Sequence, residues 1–396
     1  MKSISGNKKI LFVGNASNTM RLFRGDLMAH LVEKGSDVYG FAPRIHDSDV
    51  EYFNSIGVKF VVWNFEGRLS FSITKNVIAI QDLYRQTIKI KPDLIFVYFL
   101  KPIIFSSLLK IWWLKIPTVA LLEGRGRLLA WAVSDQFLSL KKYSAKLLLF
   151  LLRWCLVKHD RIIVLNKMDY KFVVKSSVTG ADSVHLIDGI GVDTKIFCPE
   201  RSLVVNQDRP SLIFGFVGRL VLEKGVLCFL DGARKFKEST GISFEIWGEL
   251  DESLGFTRSE FSRLCEENGV LWRGATSDPT EIYRDGFVLT LPTTYGEGLP
   301  RVIMEALSSG CPVITVRSTP GAGTSFSDGK AGFYMENGSP SELVRVLLKF
   351  IEAKVSYAEF ARAARKDALS RYKLADKIRE FEKIIEMGVK RLESRG

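Results

Sequence analysis

The chain has 396 residues, of which 46% are hydrophobic and 25% are charged, and its formal net charge is +12. This is more chain than one hydrophobic core usually serves, so the length predicts two domains of ordinary globular composition. The basic excess favours an anionic partner: a phosphorylated substrate, a membrane surface or nucleic acid. Nucleic acid is the least favoured of these candidate partners, because zinc-finger spacing and RNA-binding aromatic motifs are missing from the sequence.

The cysteine pattern excludes several classes of protein. The five cysteines are scattered, and the two closest in sequence are 30 residues apart (228 − 198). This spacing excludes a C-x-x-C metal or redox site, and nothing in the pattern indicates a disulfide framework, so a reducing cytosol is the simplest location. The chain opens on a polar stretch rather than a secretory signal. The apolar regions 94–122 and 145–157 are interrupted by charges or too short to span a membrane, although both could rest on one.

Short apolar runs alternate with helical patterns along the chain. The first half has predicted strands at 8–13, 38–42, 58–63, 93–99, 118–123, 161–165 and 184–187, and helices at 22–33, 73–90 and 143–158. The second half has strands at 212–217, 244–247, 270–272, 287–291, 312–316 and 332–335, and helices at 226–238, 257–268, 341–353, 357–371 and 374–392. This alternation predicts two parallel sheets covered on both faces, with ligand sites at the carboxyl ends of strands.

The turn after the first strand runs from Gly14 to Asn18. It lacks the G-x-G-x-x-G of a dinucleotide site, which argues against a nicotinamide-dependent dehydrogenase. Gly14 with Arg21 and Arg24 is a candidate site for a phosphate group. The alternative is an ordinary basic surface.

Two further polar clusters lie in the first half. Glu123 and Arg125 belong to the run Glu-Gly-Arg-Gly-Arg at a predicted strand end, where glycines and arginines could hold a phosphate group or form a flexible basic loop. The run from His46 to Asp49 has a D-x-D-like pattern. In a polar loop it predicts solvated surface rather than a metal site.

The stretch from Tyr295 to Val313 organises the second half. It lies between two buried strands and contains a glycine-bracketed turn that opens a helix, with Pro300 at or near the first helical position. Backbone N–H groups of Gly298 and Leu299 at the positive helix end would suit a phosphate or a sugar hydroxyl.

Two pairs of charged residues are candidates for chemistry. Glu297 precedes the predicted helix and Glu305 lies eight positions later, although alone they could be a solvated loop residue and a first-turn acid. Gly218 ends a strand, and Arg219 and Lys224 follow in the run Gly-Arg-Leu-Val-Leu-Glu-Lys-Gly. Two cations five positions apart across a tight loop could hold one diphosphate.

These two stretches resemble the E-x7-E signature and the G-R-L-x-x-x-K-G segment of retaining GT-B glycosyltransferases of family four. The resemblance is strong over residues 214–338 and architectural over the first domain, whose Gly14 turn lacks the double glycine of many members. It implies donor-binding residues Gly218, Arg219, Lys224, Arg273, Glu297, Gly298, Leu299, Pro300 and Glu305. Glu297, Arg219 and Lys224 would be catalytic. The acceptor side would include Gly14, Arg21, Glu123 and Arg125.

The resemblance also implies a role for each charged residue. Arg219 and Lys224 would bind the donor diphosphate, on which negative charge grows as the glycosidic bond breaks. Glu297 would contact the donor sugar and Glu305 the ribose. The diphosphate itself is a plausible base for the acceptor hydroxyl, and the family usually requires neither a divalent metal nor another cofactor.

A domain division follows from the resemblance. It implies a Rossmann-like, acceptor-binding domain over residues 1–199 and a Rossmann-like, nucleotide-sugar donor-binding domain over 200–374. The polar run 200–210 would be the linker. A C-terminal helix over 375–396 would pack back toward the first domain.

The implied function is retaining transfer of a sugar from a nucleotide-sugar donor, with a UDP-sugar such as UDP-N-acetylhexosamine favoured by family frequency. The acceptor would be a membrane-proximal, polyprenyl-diphosphate-linked saccharide in surface polysaccharide or glycan assembly. The basic charge and the apolar, basic region 141–158 favour a peripheral position on an anionic membrane, at the cytoplasmic face of the inner membrane.

Three alternatives stay open. The acceptor could be soluble, or the chain could be a sugar-nucleotide epimerase of related fold. The epimerase is disfavoured because it would need catalytic histidines, and none of the four lies near the two motifs. A non-catalytic membrane scaffold is a remote third, because a scaffold would not need both charged pairs intact.

Overall fold

The computed structural model describes residues 8–65, 72–112, 115–126, 139–174, 181–199, 211–239 and 241–393. The predicted linker 200–210 and the last arginine of the Glu123 run lie outside the described residues. The chain forms two compact units. Unit 1 comprises Met1–Gly124, Tyr143–Ile187 and Lys377–Gly396; unit 2 comprises Arg125–Lys142 and Asp188–Asp376. This division differs from a boundary at 199/200, since residues 188–199 belong to unit 2.

The described part of unit 1 is built on a parallel sheet of seven strands in the order β3-β2-β1-β4-β5-β7-β8. The strands are β1 Lys9–Val13, β2 Asp37–Ala42, β3 Lys59–Val62, β4 Leu94–Tyr98, β5 Thr118–Leu122, β7 Arg161–Val164 and β8 Val184–Leu186, with the short β6 Gly124–Arg125 after β5. The central strands β4 and β5 are buried along their whole length, as expected for strands covered on both faces.

Helices cover this sheet. They are α1 Ser17–Glu33, α2 Asp47–Ser55, α3 Ile73–Ile90, α4 Leu100–Trp112, α5 Ser139–Leu156 and α6 Lys167–Val174. The last helix of the chain, Leu374–Glu393, begins in unit 2, and from Lys377 onward it belongs to unit 1. There Phe381 packs against Phe96, and Gly388 comes so close to Leu94 that a Cβ would lie 2.6 Å from its Cδ1.

The polar run from His46 to Asp49 departs from expectation. A solvated loop was predicted, but the segment starts helix α2, and Asp49 is 0% exposed. The Ser17 hydroxyl donates to Asp49 Oδ2 at 2.6 Å, and Arg21 Nε lies 2.9 Å from Oδ1. The prediction is therefore wrong for Asp49, because burial of a carboxylate is tolerated where partners satisfy it.

The described part of unit 2 is built on a parallel sheet of six strands in the order β11-β10-β9-β12-β14-β15. The strands are β9 Leu212–Val217, β10 Ile242–Trp247, β11 Val270–Gly274, β12 Phe287–Leu291, β14 Val313–Val316 and β15 Gly332–Met335, with the short β13 Gly296–Glu297 after β12. The helices are α7 Val226–Ala233, α8 Arg258–Glu267, α9 Arg301–Ser308, α10 Pro340–Ile351, α11 Tyr357–Arg371 and α12 Leu374–Glu393. Every predicted strand is present, with ends within two residues.

Arg365 provides some of the contacts that join residues 188–199 to unit 2. Its guanidinium donates to the carbonyl oxygens of Phe197 at 2.9 Å, Ser308 at 2.5 Å and Thr194 at 2.9 Å. One side chain on α11 therefore holds both the 194–197 segment and the end of α9. Charge-assisted bonds of this kind are among the stronger ones in proteins.

A helix needs both sufficient length and an apolar sequence to span a membrane. Within the described ranges, no helix is both long enough and apolar enough to cross a bilayer.

Acid is expected to destabilise unit 1 through His159. Burial, with Lys110 nearby, lowers the pKa of His159 from 6.5 to about 3. Below pH 6.5 this histidine is protonated in the unfolded chain but stays neutral in the folded chain. The free energy of unfolding therefore decreases as the pH is lowered from 6.5 to about 3. Between pH 7 and pH 5 we expect this residue to cost about 2 kcal/mol.

Chemical denaturation of wild type and His159→Gln at both pH values measures this difference. The wild type should lose more stability on acidification than the variant does, whereas exposed His46→Gln should behave like wild type. Equal losses in wild type and His159→Gln would contradict the assignment.

Candidate active site

Three adjacent strands of unit 2 end in glycines. Gly218, Gly248 and Gly274 follow or end β9, β10 and β11, and their φ angles are +141°, +148° and +76°. The backbone is tightly joined there: Gly218 N–H donates to Trp247 O at 2.9 Å, and Gly248 N–H to Gly274 O at 2.7 Å. A Cβ on Gly248 would lie 1.9 Å from the Gly218 carbonyl oxygen. The carboxyl edge is therefore free of side chains at these positions, which leaves room for a ligand to approach the backbone.

The loop after β9 folds back over this edge. Residues Leu222–Lys224 form one 3₁₀ turn, and Gly225 ends it with φ +84°. The Lys224 ammonium lies over Gly218, where a Cβ would be 3.2 Å from Nζ. A Cβ on Gly225 would be 2.2 Å from the Pro292 carbonyl oxygen. The loop thus packs closely on the segment that follows β12.

An ion pair joins the two sequence motifs. Lys224 Nζ lies 2.9 Å from Glu297 Oε1, although 73 residues separate them (297 − 224). The two side chains are 12% and 21% exposed, so the pair is partly shielded from water but reachable. The backbone supports the contact, since Thr294 N–H donates to Glu223 O at 2.9 Å. One cation and one carboxylate therefore meet at the glycine edge.

The residues that lead into α9 are more buried than the sequence indicates. Gly298, Leu299 and Pro300 are all buried, and Pro300 immediately precedes the helix instead of occupying its first turn. The Leu299 side chain belongs to the unit 2 core and leaves no room for a Cβ on Gly189, which would lie 2.6 Å from its Cδ2. Leu299 thus contributes packing through its side chain.

Glu305 is held inside α9 by two donors. It is 5% exposed, and it accepts the Tyr283 hydroxyl at 2.9 Å and Arg301 Nε at 2.8 Å. Burial and then the neighbouring carboxylate raise the pKa of Tyr283 well above its ordinary value, so Tyr283 stays a donor. A buried carboxylate with two donors is fixed in orientation.

Arg219 and Arg273 each have a carboxylate partner in unit 2. Arg219 Nη1 lies 3.4 Å from Asp251 Oδ2 at the surface, where such a pair contributes little stability. Arg273 lies 2.9 Å from Glu245 Oε1, and Arg284 lies 2.6 Å from the same oxygen. Burial alone would raise the pKa of Glu245, but hydrogen bonds from Arg284 and Arg273 bring it below its usual value. Arg273 therefore belongs to a second ionic cluster.

The structure brings together some of the residues predicted for the acceptor side and not others. Arg21 is engaged by Asp49, whereas Arg24, one turn later, forms an ion pair with Glu123. Gly14 packs against Tyr98, whose hydroxyl oxygen would lie 2.3 Å from a Cβ there. Unit 1 therefore brings Gly14, Arg24 and Glu123 to one sheet edge. Arg125 belongs to unit 2.

Several residues of these sites were not foreseen. Gly248 could have been identified from the sequence, because it follows a predicted strand just as Gly218 does. Tyr283, Asp251 and Tyr98 had none, since nothing in their local sequence indicates which distant side chain they meet.

Gly248→Ala is expected to destabilise unit 2 by about 3 kcal/mol or more, because the new Cβ would collide with backbone that cannot move without breaking the strand ends. The matched control is Gly255→Ala, which also has positive φ (+80°) but nothing within 4 Å of the added Cβ. The control should cost about 1 kcal/mol. Urea denaturation of both variants measures the difference, and similar losses would show that the Gly218–Gly248 approach is not tight.

Part of the chain matches a known protein family. Residues 203–367 match the model of the family described as Glycosyl transferases group 1. Poly(ribitol-phosphate) alpha-N-acetylglucosaminyltransferase of Staphylococcus aureus is 26% identical over 165 residues, 40% of this chain and 32% of that protein. UDP-Gal:alpha-D-GlcNAc-diphosphoundecaprenol alpha-1,3-galactosyltransferase of Escherichia coli is 26% identical over 206 residues, 49% of this chain and 52% of that protein. The matches thus span about a third and about half of these relatives.

The solved structure of the HepE protein of Anabaena in complex with UDP and glucose is similar to the whole chain. The TM-score is 0.71 at 16% sequence identity, and the match covers 96% of this chain and 100% of that one. Likeness at this identity establishes the fold, and the predicted fold class of two parallel α/β domains is confirmed. The chain has the GT-B fold, and its residues 203–367 match the family of group 1 glycosyl transferases.

Proposed function

We propose that this chain is a retaining, metal-independent glycosyltransferase that moves a sugar from a UDP-sugar to a lipid-linked saccharide at a membrane. The observation that carries the proposal is the 2.9 Å ion pair between Lys224 and Glu297 at the glycine edge of unit 2. It brings together the two residue types that a sugar diphosphate needs, a cation for phosphate and a carboxylate for sugar hydroxyls.

Arg219 and Lys224 would bind the donor diphosphate. Each has a carboxylate partner: Asp251 pairs with Arg219 and Glu297 with Lys224. A diphosphate offers both cations a more highly charged partner, so the ion pairs would exchange. As the glycosidic bond breaks, the charge on the diphosphate grows, and fixed cations stabilise that state more than the ground state. No divalent metal is needed for this step.

The same exchange would release Glu297. Once Lys224 turns to phosphate, the Glu297 carboxylate can accept hydroxyl groups of the donor sugar. Glu305 would accept the ribose hydroxyls, with Arg301 moving aside and Tyr283 keeping its hold. Backbone N–H groups of Gly298 and Leu299 and the guanidinium of Arg273 would complete donor binding.

The relatives support the donor and acceptor classes. The name of the Escherichia coli relative specifies a UDP-sugar donor and a diphosphoundecaprenol-linked acceptor, and that of the Staphylococcus aureus relative specifies a poly(ribitol-phosphate) acceptor. Both acceptors carry phosphate, which suits a chain with a net charge of +12. A polyprenyl-diphosphate-linked saccharide is the acceptor we propose, in surface polysaccharide or glycan assembly.

Helix α5 of unit 1 supports the membrane part of the proposal. Its exposed apolar side chains recur at helical spacing and are between 43% and 69% exposed: Tyr143, Leu147, Phe150 and Trp154. Lys146 Nζ lies 5.9 Å from the Tyr143 ring centre, and Lys158 Nζ lies 4.8 Å from that of Trp154. An apolar stripe bordered by lysines is typical of a helix that lies in the surface of an anionic bilayer. We place this surface at the cytoplasmic face of the inner membrane.

The donor site is tested by thermal shift with UDP, GDP and ADP, each with EDTA or with magnesium. UDP at about 100 times its Kd should stabilise the wild type by roughly 2.7 kcal/mol, with either addition. Lys224→Ala should weaken the binding of UDP about ten- to a hundredfold, because a charge-assisted contact to phosphate is lost. Exposed Lys235→Ala is the control and should keep wild-type affinity.

Turnover and stereochemistry are then followed by NMR of the released or transferred sugar from the donor that binds. A wild type that no nucleotide stabilises would contradict the donor site. Nucleotide binding without turnover would favour the scaffold alternative, and an inverted anomer would contradict retention.

The membrane surface is tested by sedimentation with vesicles of phosphatidylcholine and phosphatidylglycerol. Leu147→Glu/Phe150→Glu should weaken binding at least tenfold, because burial of each apolar side chain contributes about 1.5–3 kcal/mol and the new charges are repelled. Leu348→Glu/Val355→Glu, at equally apolar exposed positions of unit 2, gives the same change of charge. If both double variants lose binding equally, net charge alone is responsible and helix α5 is not the contact.

A further inference from the structure

The strand order of unit 1 defines one edge where a ligand site is expected. Strand β1 lies between β2 and β4, and the chain proceeds to β2 and β3 on one side and to β4 and β5 on the other. In open parallel sheets, ligands bind outside the carboxyl ends of the strands at such a switch point. Gly14 follows β1 there, and Tyr98 ends β4.

The backbone at this edge is strained. Phe99, directly after β4, has φ +66°, and among the described residues only Lys91 shares a positive φ without being glycine. A bulky side chain in the left-handed region is a genuine outlier. Such strain persists where the surrounding structure fixes it, and it is concentrated at ligand sites.

A buried arginine stands behind the edge. Arg24 is 1% exposed, and its guanidinium lies 5.2 Å from the Tyr98 ring centre and 5.8 Å from that of Phe381. Arg24 Nη2 pairs with Glu123 Oε1, and burial lowers the pKa of Arg24 to about 10. A buried ion pair is weak evidence for added stability, so orientation of the carboxylate is a role to consider for Arg24.

Glu123 is the member of this cluster that a ligand can reach. It follows β5, and its side chain is 14% exposed, whereas the Arg24 guanidinium and the Tyr98 hydroxyl are buried. Within the described residues the Tyr98 hydroxyl has no hydrogen-bond partner. A carboxylate faces the ligand and the cation lies behind it, so this position attracts hydrogen-bond donors and repels phosphate. That differs from the acceptor phosphate that the sequence predicts here.

We propose that Glu123 binds a hydroxyl group of the saccharide acceptor, and that Arg24 is a positioning residue that holds the Glu123 carboxylate toward it. The inference rests on the proposed function and deepens it, because it assigns the sugar end of the acceptor to the switch point of unit 1. The ligand class is a neutral sugar hydroxyl, and the lipid diphosphate binds elsewhere.

The test measures transfer from the donor that binds to a panel of lipid-diphosphate-linked monosaccharides: glucose, galactose, N-acetylglucosamine and N-acetylgalactosamine. Glu123→Gln should lower kcat/KM for the acceptor about ten- to a hundredfold, because one hydrogen bond to a charged group is weakened. The nucleotide Kd and the acceptor-independent hydrolysis of the donor should stay within twofold. Exposed Glu51→Gln is the matched control and should leave both unchanged.

The role of Arg24 is tested by Arg24→Met and Arg24→Lys. Arg24→Met should reproduce the loss in acceptor kcat/KM, and Arg24→Lys, which keeps the charge, should recover part of it. If Glu123→Gln does not fold because Arg24 is left unpaired, Arg24→Met/Glu123→Gln removes both charges and takes its place.

The outcomes separate this inference from the proposed function. Loss of stability with acceptor kcat/KM within twofold of wild type would make the pair structural and overturn the inference. A loss that falls on nucleotide affinity, or a wild type that hydrolyses the donor but transfers to no member of the panel, would overturn it as well. A wild type that binds no nucleotide, or that binds nucleotide without any turnover, would instead defeat the proposed function.

Discussion

The ion pair between Lys224 and Glu297 is the contact on which the site in unit 2 depends. It joins the loop after β9 to the segment after β12, and it forms only because the backbone of both segments comes close. Glycine makes that approach feasible: any side chain at Gly225 would meet the Pro292 carbonyl. Because this ion pair is partly shielded from water, it is stronger than a pair on the surface. A ligand can still reach it and replace one of the partners.

The cations of the unit 2 site share a common arrangement. Arg219 has Asp251, Lys224 has Glu297 and Arg301 has Glu305. Each positive charge is therefore balanced by a carboxylate of the chain, which avoids the cost of clustered like charges. The excess positive charge of the chain still attracts anions at long range. In the proposed reaction, the donor gains specificity because it must replace carboxylates that already occupy the cations.

Unit 1 uses buried charge differently. Arg21 and Arg24 lie three positions apart on α1, but Arg21 pairs with Asp49 of α2 and Arg24 with Glu123 at the end of β5. The first pair joins two helices. The second lies at the strand edge and leaves a carboxylate partly exposed. Buried pairs are retained for orientation more readily than for stability, and orientation is what a binding carboxylate requires.

The elements were largely predictable because their signals are local. Apolar runs of four to six residues, bounded by glycines and helical patterns, predicted every long strand. The contiguous run from Gly218 to Gly225 predicted the loop that follows β9. The motif residues Lys224 and Glu297 were also identified from the sequence. Their contact with each other was not predicted, because a contact across 73 residues depends on how two strand ends are placed in the sheet.

Tertiary structure decided which charge meets which partner. Asp47 and Asp49 look alike in sequence, yet one is exposed and the other is completely buried beside Ser17 and Arg21. The rotation of a helix against its neighbours makes that choice, and local sequence does not record it. The same holds for Tyr283, whose hydroxyl donates to Glu305 from the segment before β12. The sequence determined the types of chemical groups in this protein, and packing of distant segments determined their pairs.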